Sequence, residues 1–177
     1  MTAERSRPYE GLTPDAVLDA LDSTGLRGDG RLLALNSYEN RVYQASLEDG
    51  SYVVVKFYRP GRWSDAQILE EHAFALELAG REIPVVAPQV RGGKTLNEFK
   101  TFRFAVYPRR GGRTPELEDE KVLEWIARFL GRIHAIGASP PFEHRPALTP
   151  ETFGTESRDW LTESGMVPPD LQDVWLG

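Results

Sequence analysis

Lys56 is the residue whose type and position most clearly indicate chemistry. It lies in the run Tyr-Val-Val-Val-Lys-Phe-Tyr at residues 52–58, and β-branched and aromatic residues of this kind predict a β-strand. Alternate residues of a strand share a face, so Lys56 lies with Val54 and Tyr58. Its ammonium group must reach water or meet a carboxylate, because an unpaired buried charge is costly. Two interpretations stay open: an ion pair with a neighbouring element, or an edge-strand lysine that discourages aggregation.

Three glutamates on the next predicted helix could supply that carboxylate. They are Glu70, Glu71 and Glu77. Glu71 adjoins His72 on the apolar stripe of the helix and can turn inward to meet a lysine from a sheet. We expect Glu70 to be solvated. The alternative is that all three glutamates lie on the wet face of the helix, as most helix glutamates do.

Two further segments could bind anions. The polar segment 36–41, Asn-Ser-Tyr-Glu-Asn-Arg, could cradle phosphates through its backbone N–H groups and the Ser37 hydroxyl. It contains no glycine, so an ordinary hairpin loop is the alternative. Arg109, Arg110 and Arg113 form a positive cluster between glycines, which could bind an anion or belong to a solvated linker.

The composition excludes several kinds of site. The 177 residues contain 21 Lys and Arg against 27 Asp and Glu, a formal net charge of −6, which disfavours a general nucleic-acid binder. Cysteine is absent, so disulfides, thiol nucleophiles and Cys-ligated metals are excluded. The three histidines, His72, His134 and His144, are too widely spaced for a His-rich metal site. We expect His134, at the end of a long helix, to be packed or capping rather than catalytic.

The chain shows no membrane or export signal. No stretch approaches the roughly 18 consecutive apolar residues of a membrane span. Residues 1–10 are polar and lack the apolar core of a signal peptide. We therefore expect a cytoplasmic protein without a membrane partner.

The elements that position these residues follow from local patterns. Thr13 and Pro14 predict the start of a short helix that stops near Gly25. Ser64 and Gln67 form a capping box ahead of a helix over 65–79. Strands are predicted over 32–35, 42–47, 52–58 and 102–107, the first three as an antiparallel meander, and further helices over 116–135, 149–153, 157–163 and from residue 170.

The order of these elements, together with three segments, resembles a known family. The segments are Leu-Asn-Ser-Tyr-Glu-Asn-Arg-Val-Tyr-Gln at 35–44, Val-Val-Lys-Phe-Tyr-Arg-Pro at 54–60 and Ile-Leu-Glu-Glu-His at 68–72. They are similar to the stress response kinases, bacterial Ser/Thr protein kinases of the aminoglycoside-phosphotransferase-like branch of the protein-kinase-like superfamily. The resemblance implies an α+β fold. Residues 1–107 would form a kinase-like N-terminal lobe, an antiparallel sheet plus a packed helix, and 108–177 the hinge and the truncated start of a helical C-terminal lobe.

The resemblance also implies a site for ATP. Lys56 would hold the α- and β-phosphates and Glu71 would orient it. Ser37 and Asn40 would lie over the phosphates. Tyr107, with its neighbour Pro108, would form the hinge beside the adenine. Mg²⁺ would neutralise charge during transfer to a Ser or Thr of a protein substrate whose identity stays unknown.

One departure from the family pattern concerns catalysis. Such kinases carry a catalytic Asp, a metal-binding Asn and a second metal-binding Asp after the long helix. No asparagine follows Asn97 here, so no catalytic residue and no metal ligand is assigned in this chain. We expect the chain by itself to be inactive in phosphoryl transfer. The alternatives are a non-catalytic, pseudokinase-like nucleotide-binding module, a fragment of an aminoglycoside- or choline-type phosphotransferase, and a non-functional gene remnant.

Overall fold

The computed structural model describes residues 8–138 and 140–176. The chain divides into two compact units, Met1–Glu143 and His144–Gly177. The first contains the sheet and the residues with predicted chemistry. The lobe boundary between residues 107 and 108 remains a prediction.

The first unit is built on an antiparallel sheet. Within the described residues, five strands lie in the order β1-β2-β3-β5-β4. Their bounds are Gly28–Leu35 for β1, Arg41–Leu47 for β2, Tyr52–Phe57 for β3, Asn97–Phe99 for β4 and Phe102–Pro108 for β5. The predicted three-stranded meander is confirmed, and β1 is longer than expected. The sequence did not predict β4, because three residues are too few for a recognisable alternation.

Helices flank the sheet and continue into the second unit. Their bounds are Pro14–Asp22 for α1, Asp65–Gly80 for α2, Glu120–Gly137 for α3, Glu156–Glu163 for α4 and Gln172–Leu176 for α5. The capping box of Ser64 and Gln67 is present at α2. The predicted start of α3 at residue 116 is wrong, because Asp119 caps the helix by accepting a hydrogen bond from Lys121 N (2.9 Å).

The short elements of the second unit differ in detail from the prediction. Instead of a helix over 149–153, a π-helical turn spans Glu151–Thr155 and runs directly into α4. A 3₁₀ turn, Pro169–Leu171, precedes α5. No helix in the part of the chain described here is both long enough and apolar enough to cross a membrane.

The two faces of the sheet have different partners. Val55, Phe57 and Phe104 are fully buried on one face, where they share a core with Val17 and Leu21 of α1. On the opposite face, α2 covers the end of the sheet. Its Ile68 is fully buried against Tyr58 and Ala105. Because β-strand side chains alternate, Lys56 lies on the face that α2 covers.

Candidate functional site

Lys56 forms an ion pair with Glu71. Lys56 Nζ lies 3.2 Å from Glu71 Oε1, and the two side chains are 24% and 37% exposed. The ammonium also lies 4.7 Å from the ring centroid of Tyr58, a cation–π distance. β3 lies between β2 and β5, so the alternative of an edge-strand lysine is excluded. A partly exposed pair contributes about 1 kcal/mol or less, so its main effect is to orient the lysine.

The other two glutamates of α2 have different partners. Glu70, which we expected to be solvated, accepts a hydrogen bond from Glu143 N (2.6 Å) through its Oε1. Glu77 pairs with Arg81 one turn later at 2.8 Å. The expectation that Glu71 is the inward-turning acid therefore agrees with the geometry. Of the three glutamates on α2, Glu71 is the one that pairs with Lys56.

A buried polar network lies beneath the ion pair, and the sequence did not predict it. His72 is 1% exposed, and its Nε2 lies 2.7 Å from the Tyr58 hydroxyl. Its Nδ1 lies 2.9 Å from Thr95 Oγ1. The Tyr107 hydroxyl lies 3.1 Å from that of Tyr58. The position of His72 on the apolar stripe signalled burial, but nothing local identified these partners, which come from other elements.

Burial sets the charge state of the network. It lowers the pKa of His72 to about 4, and nearby Lys56 acts in the same direction while Glu71 opposes it. Burial also raises the pKa of Tyr107 to about 12. The imidazole and the phenol are therefore both neutral at pH 7. Lys56 and Glu71 therefore lie beside a hydrogen-bonded network of side chains that carries no charge.

Tyr107 is the last residue but one of β5. In register it pairs with Val54, and Pro108 pairs with Val53, so both predicted hinge residues still belong to the sheet. The side chain of Tyr107 is directed to His72 and Tyr58. Residues 109–116 follow without regular structure.

The three arginines after β5 do not share one environment. Arg109 Nε donates a hydrogen bond to Gln44 Oε1 (3.1 Å), and its guanidinium lies 5.7 Å from the ring centroid of Tyr52. Arg110 and Arg113 are exposed. His134, which we expected to be packed or capping, is exposed on α3.

The loop between β1 and β2, residues 36–40, lies near Lys56. The strand that follows it pairs Arg41 with Phe57 and Val42 with Lys56. Ser37 is half-buried in this loop. Asn40 accepts a hydrogen bond from Arg59 N (3.2 Å) through its Oδ1. The structure therefore brings Ser37, Asn40, Lys56 and Glu71 to one end of the sheet.

Metal ligands are a different matter. Among residues 8–138 and 140–176, no group of three or more His, Asp or Glu side chains is arranged to hold a metal ion. No ligand for the Mg²⁺ that the resemblance implies is therefore assigned among the described residues.

Comparison with known sequences places most of the chain in one family model. The model of the phosphotransferase enzyme family matches residues 31–176. Stress response kinase A of Escherichia coli (strain K12) is 44% identical over 168 residues, which are 95% of this chain and 51% of that protein. The serine/threonine protein kinase RdoA of Salmonella typhimurium is 42% identical over 168 residues. The chain thus spans about half the length of the curated relatives it matches.

Solved structures share the fold. An amicoumacin kinase in complex with AMP-PNP, Ca²⁺ and Ami matches with a TM-score of 0.63 and 20% identity, over 85% of this chain and 52% of that one. A structure titled as a putative fructosamine-3-kinase from Thermobifida fusca matches with a TM-score of 0.52 and 18% identity. The match covers 92% of this chain and 60% of that one. At these identities the likeness concerns the fold alone. The expected kinase-like N-terminal lobe is confirmed.

Proposed function

This chain belongs to the phosphotransferase enzyme family, and from that premise we propose that it supplies the ATP-binding part of a Ser/Thr protein kinase. The observation that carries the proposal is the Lys56–Glu71 ion pair on an inner strand of the sheet. The name of one relative, serine/threonine protein kinase RdoA, supports a protein substrate.

In this proposal Lys56 binds the α- and β-phosphates of ATP. Its ammonium is 3.2 Å from Glu71, and the Lys56 side chain is 24% exposed, so we propose that a phosphate contacts the ammonium while Glu71 holds it. A flexible lysine binds phosphate as a point charge, and the carboxylate restricts where that charge lies. Glu71 is therefore a positioning residue for Lys56.

The remaining contacts would come from the β1–β2 loop and from the end of β5. Ser37 and Asn40 would donate to phosphate oxygens from the end of the sheet that carries Lys56. Tyr107 and Pro108 would lie beside the adenine, where backbone groups do the recognition. The buried hydroxyl of Tyr107 connects this end of β5 to α2 through His72.

Phosphoryl transfer is not assigned to residues 1–177. ATP normally reacts as its Mg²⁺ complex, in which the metal neutralises charge on the phosphates. The described residues hold no fitting group of metal ligands, and no residue of the chain matches the family's catalytic base. We therefore propose nucleotide binding without turnover for this chain by itself.

Calorimetry with AMP-PNP tests the proposal directly. We expect Lys56→Met to weaken AMP-PNP binding at least about tenfold, because one charge-assisted contact to phosphate is lost. Lys94→Met is the matched control, since Lys94 is an exposed lysine in the turn 91–94 of the same unit. Equal affinities for the wild type and Lys56→Met would contradict the proposed site.

A transfer assay separates binding from catalysis. Wild-type 1–177 with Mg²⁺ and labelled ATP should transfer no phosphate to a protein substrate above background. Robust transfer that Lys56→Met abolishes would overturn the proposed lack of turnover and would place a catalytic base within these residues.

A further inference from the structure

Glu39 ties the β1–β2 loop to the segment that follows β3. Arg62 Nε donates to Glu39 Oε2 (2.9 Å), and Trp63 Nε1 donates to Glu39 Oε1 (2.9 Å). The Tyr9 hydroxyl donates to the backbone carbonyl of Glu39 (2.7 Å). One residue of the loop is therefore held by both carboxylate oxygens and by its main chain.

The carboxylate of Glu39 is well suited to this role. Burial alone would raise the pKa of Glu39, but the hydrogen bonds from Arg62 and Trp63 outweigh it and lower the pKa. Glu39 is thus ionised at neutral pH. The Arg62 guanidinium also stacks over the Trp63 ring, at 4.6 Å from its centroid, so the two donors support each other.

These contacts of Glu39 with Arg62, Trp63 and Tyr9, which we call the clamp, act on a loop that has no glycine. Asn40 accepts from Arg59 N, which adds a second link between the same loop and the same segment. The two residues that precede Glu39 differ from each other in exposure. Tyr38 is fully exposed, whereas Ser37, which is nearer to the end of β1, is half-buried. Long-range side-chain contacts therefore hold the shape of this loop.

We propose that Glu39 is a positioning residue that holds the β1–β2 loop ready for the phosphates of the nucleotide. The inference rests on the proposed function, since it concerns the loop that faces the phosphates. A loop that is already ordered loses less conformational freedom when it binds a ligand, so its ligand binds more tightly. A nucleoside without phosphates makes no use of this loop and gains nothing from the clamp.

Hydrogen exchange of the loop amides tests the clamp without any nucleotide. In Glu39→Ala we expect the amides of residues 37–40 to exchange at least about tenfold faster than in the wild type. Glu39→Gln should be intermediate, because it keeps an acceptor for the Trp63 indole but loses the charge that pairs with Arg62. Glu77→Ala, which breaks the surface pair with Arg81, is the matched control and should leave these amides unchanged.

Calorimetry with AMP-PNP and adenosine then tests the positioning role. Glu39→Ala should weaken AMP-PNP binding about tenfold and leave adenosine binding within about twofold of the wild type, whereas Glu77→Ala should change neither. A general loss of folding would weaken both ligands together, so the difference between them identifies positioning.

Each outcome decides one of the two proposals. Unchanged exchange in Glu39→Ala overturns the clamp. Faster exchange with unchanged AMP-PNP affinity overturns the positioning role, and so does an equal loss for both ligands. A wild-type chain that binds neither ligand contradicts the proposed function, and the exchange rates then decide the clamp by themselves.

Discussion

At the scale of single residues, the site combines one partly exposed ion pair with a buried neutral network. Lys56 and Glu71 reach solvent, whereas His72 below them is almost completely enclosed. The Tyr58 side chain joins the two levels, because its ring faces Lys56 and its hydroxyl bonds His72. The position of the lysine is therefore linked through Tyr58 to the buried imidazole of His72.

The buried histidine should make the stability of the protein pH-dependent. The pKa of His72 is about 4 in the folded state and about 6.5 when exposed, so the unfolded state binds more protons between these values. The free energy of unfolding should fall by about 3 kcal/mol from this residue as the pH drops from 7 to 4. The full contribution is present above pH 6.5.

Urea unfolding followed by circular dichroism at pH 7, 5.5 and 4.5 measures this effect. His72→Gln keeps polar atoms in the network but cannot titrate, so it should lose less stability over the same range. An identical pH dependence in the wild type and in His72→Gln would show that the buried imidazole is not the cause.

At the scale of elements, α2 is the part that brings the two halves of the ion pair together. Its first turn is held by the capping box, in which Ser64 Oγ accepts from Gln67 N (3.2 Å) and Gln67 Oε1 accepts from Ser64 N (2.9 Å). Arg103 of β5 also bonds Asp65 and the carbonyl of Trp63, which fixes the helix start on the sheet. Glu71 lies less than two turns further along α2, so fixing the start of the helix also fixes the position of Glu71.

Removing the cap should destabilise α2. Ser64→Ala leaves the Gln67 amide without its side-chain acceptor, and we expect the free energy of unfolding to fall by about 1 kcal/mol. Ser157→Ala is the matched control, because Ser157 is exposed in α4 and is not the residue that caps a helix. Urea unfolding of both variants measures the difference, and equal midpoints would contradict a stabilising role for the capping box.

At the scale of the whole molecule, the apolar surface is unevenly covered. The core between α1 and the sheet is buried, whereas none of the residues of α3 is buried. Trp125 is 66% exposed and Leu130 is 49% exposed. A groove of about 330 Å³ runs along this helix, lined by Pro115, Lys121, Val122, Trp125, Ile126 and Phe129. Continuous apolar surface of this kind favours association.

The exposed face of α3 should make the chain bind hydrophobic dyes and self-associate. Trp125→Glu should reduce both effects and change the free energy of unfolding by no more than about 0.5 kcal/mol, because the side chain lies mostly in solvent. Thr114→Glu adds the same charge at an exposed polar position and serves as control. Dye fluorescence and sedimentation velocity measure the effect, and an equal response of both variants would attribute it to charge alone.

The sequence by itself determined the strands β2, β3 and β5, the capped start of α2 and the family likeness around Lys56. These signals are local, since a cap, a strand alternation or a motif is complete within about ten residues. Only the tertiary structure decided that β3 is an inner strand. The sequence favours Glu71 over Glu70 as the partner of the lysine, and the structure shows this ion pair. The tertiary structure also revealed the partners of His72 and Glu39, which the chain supplies from 14 to 35 residues away. Contacts at such separations depend on how the sheet and α2 pack together, and no local pattern of residues records that packing.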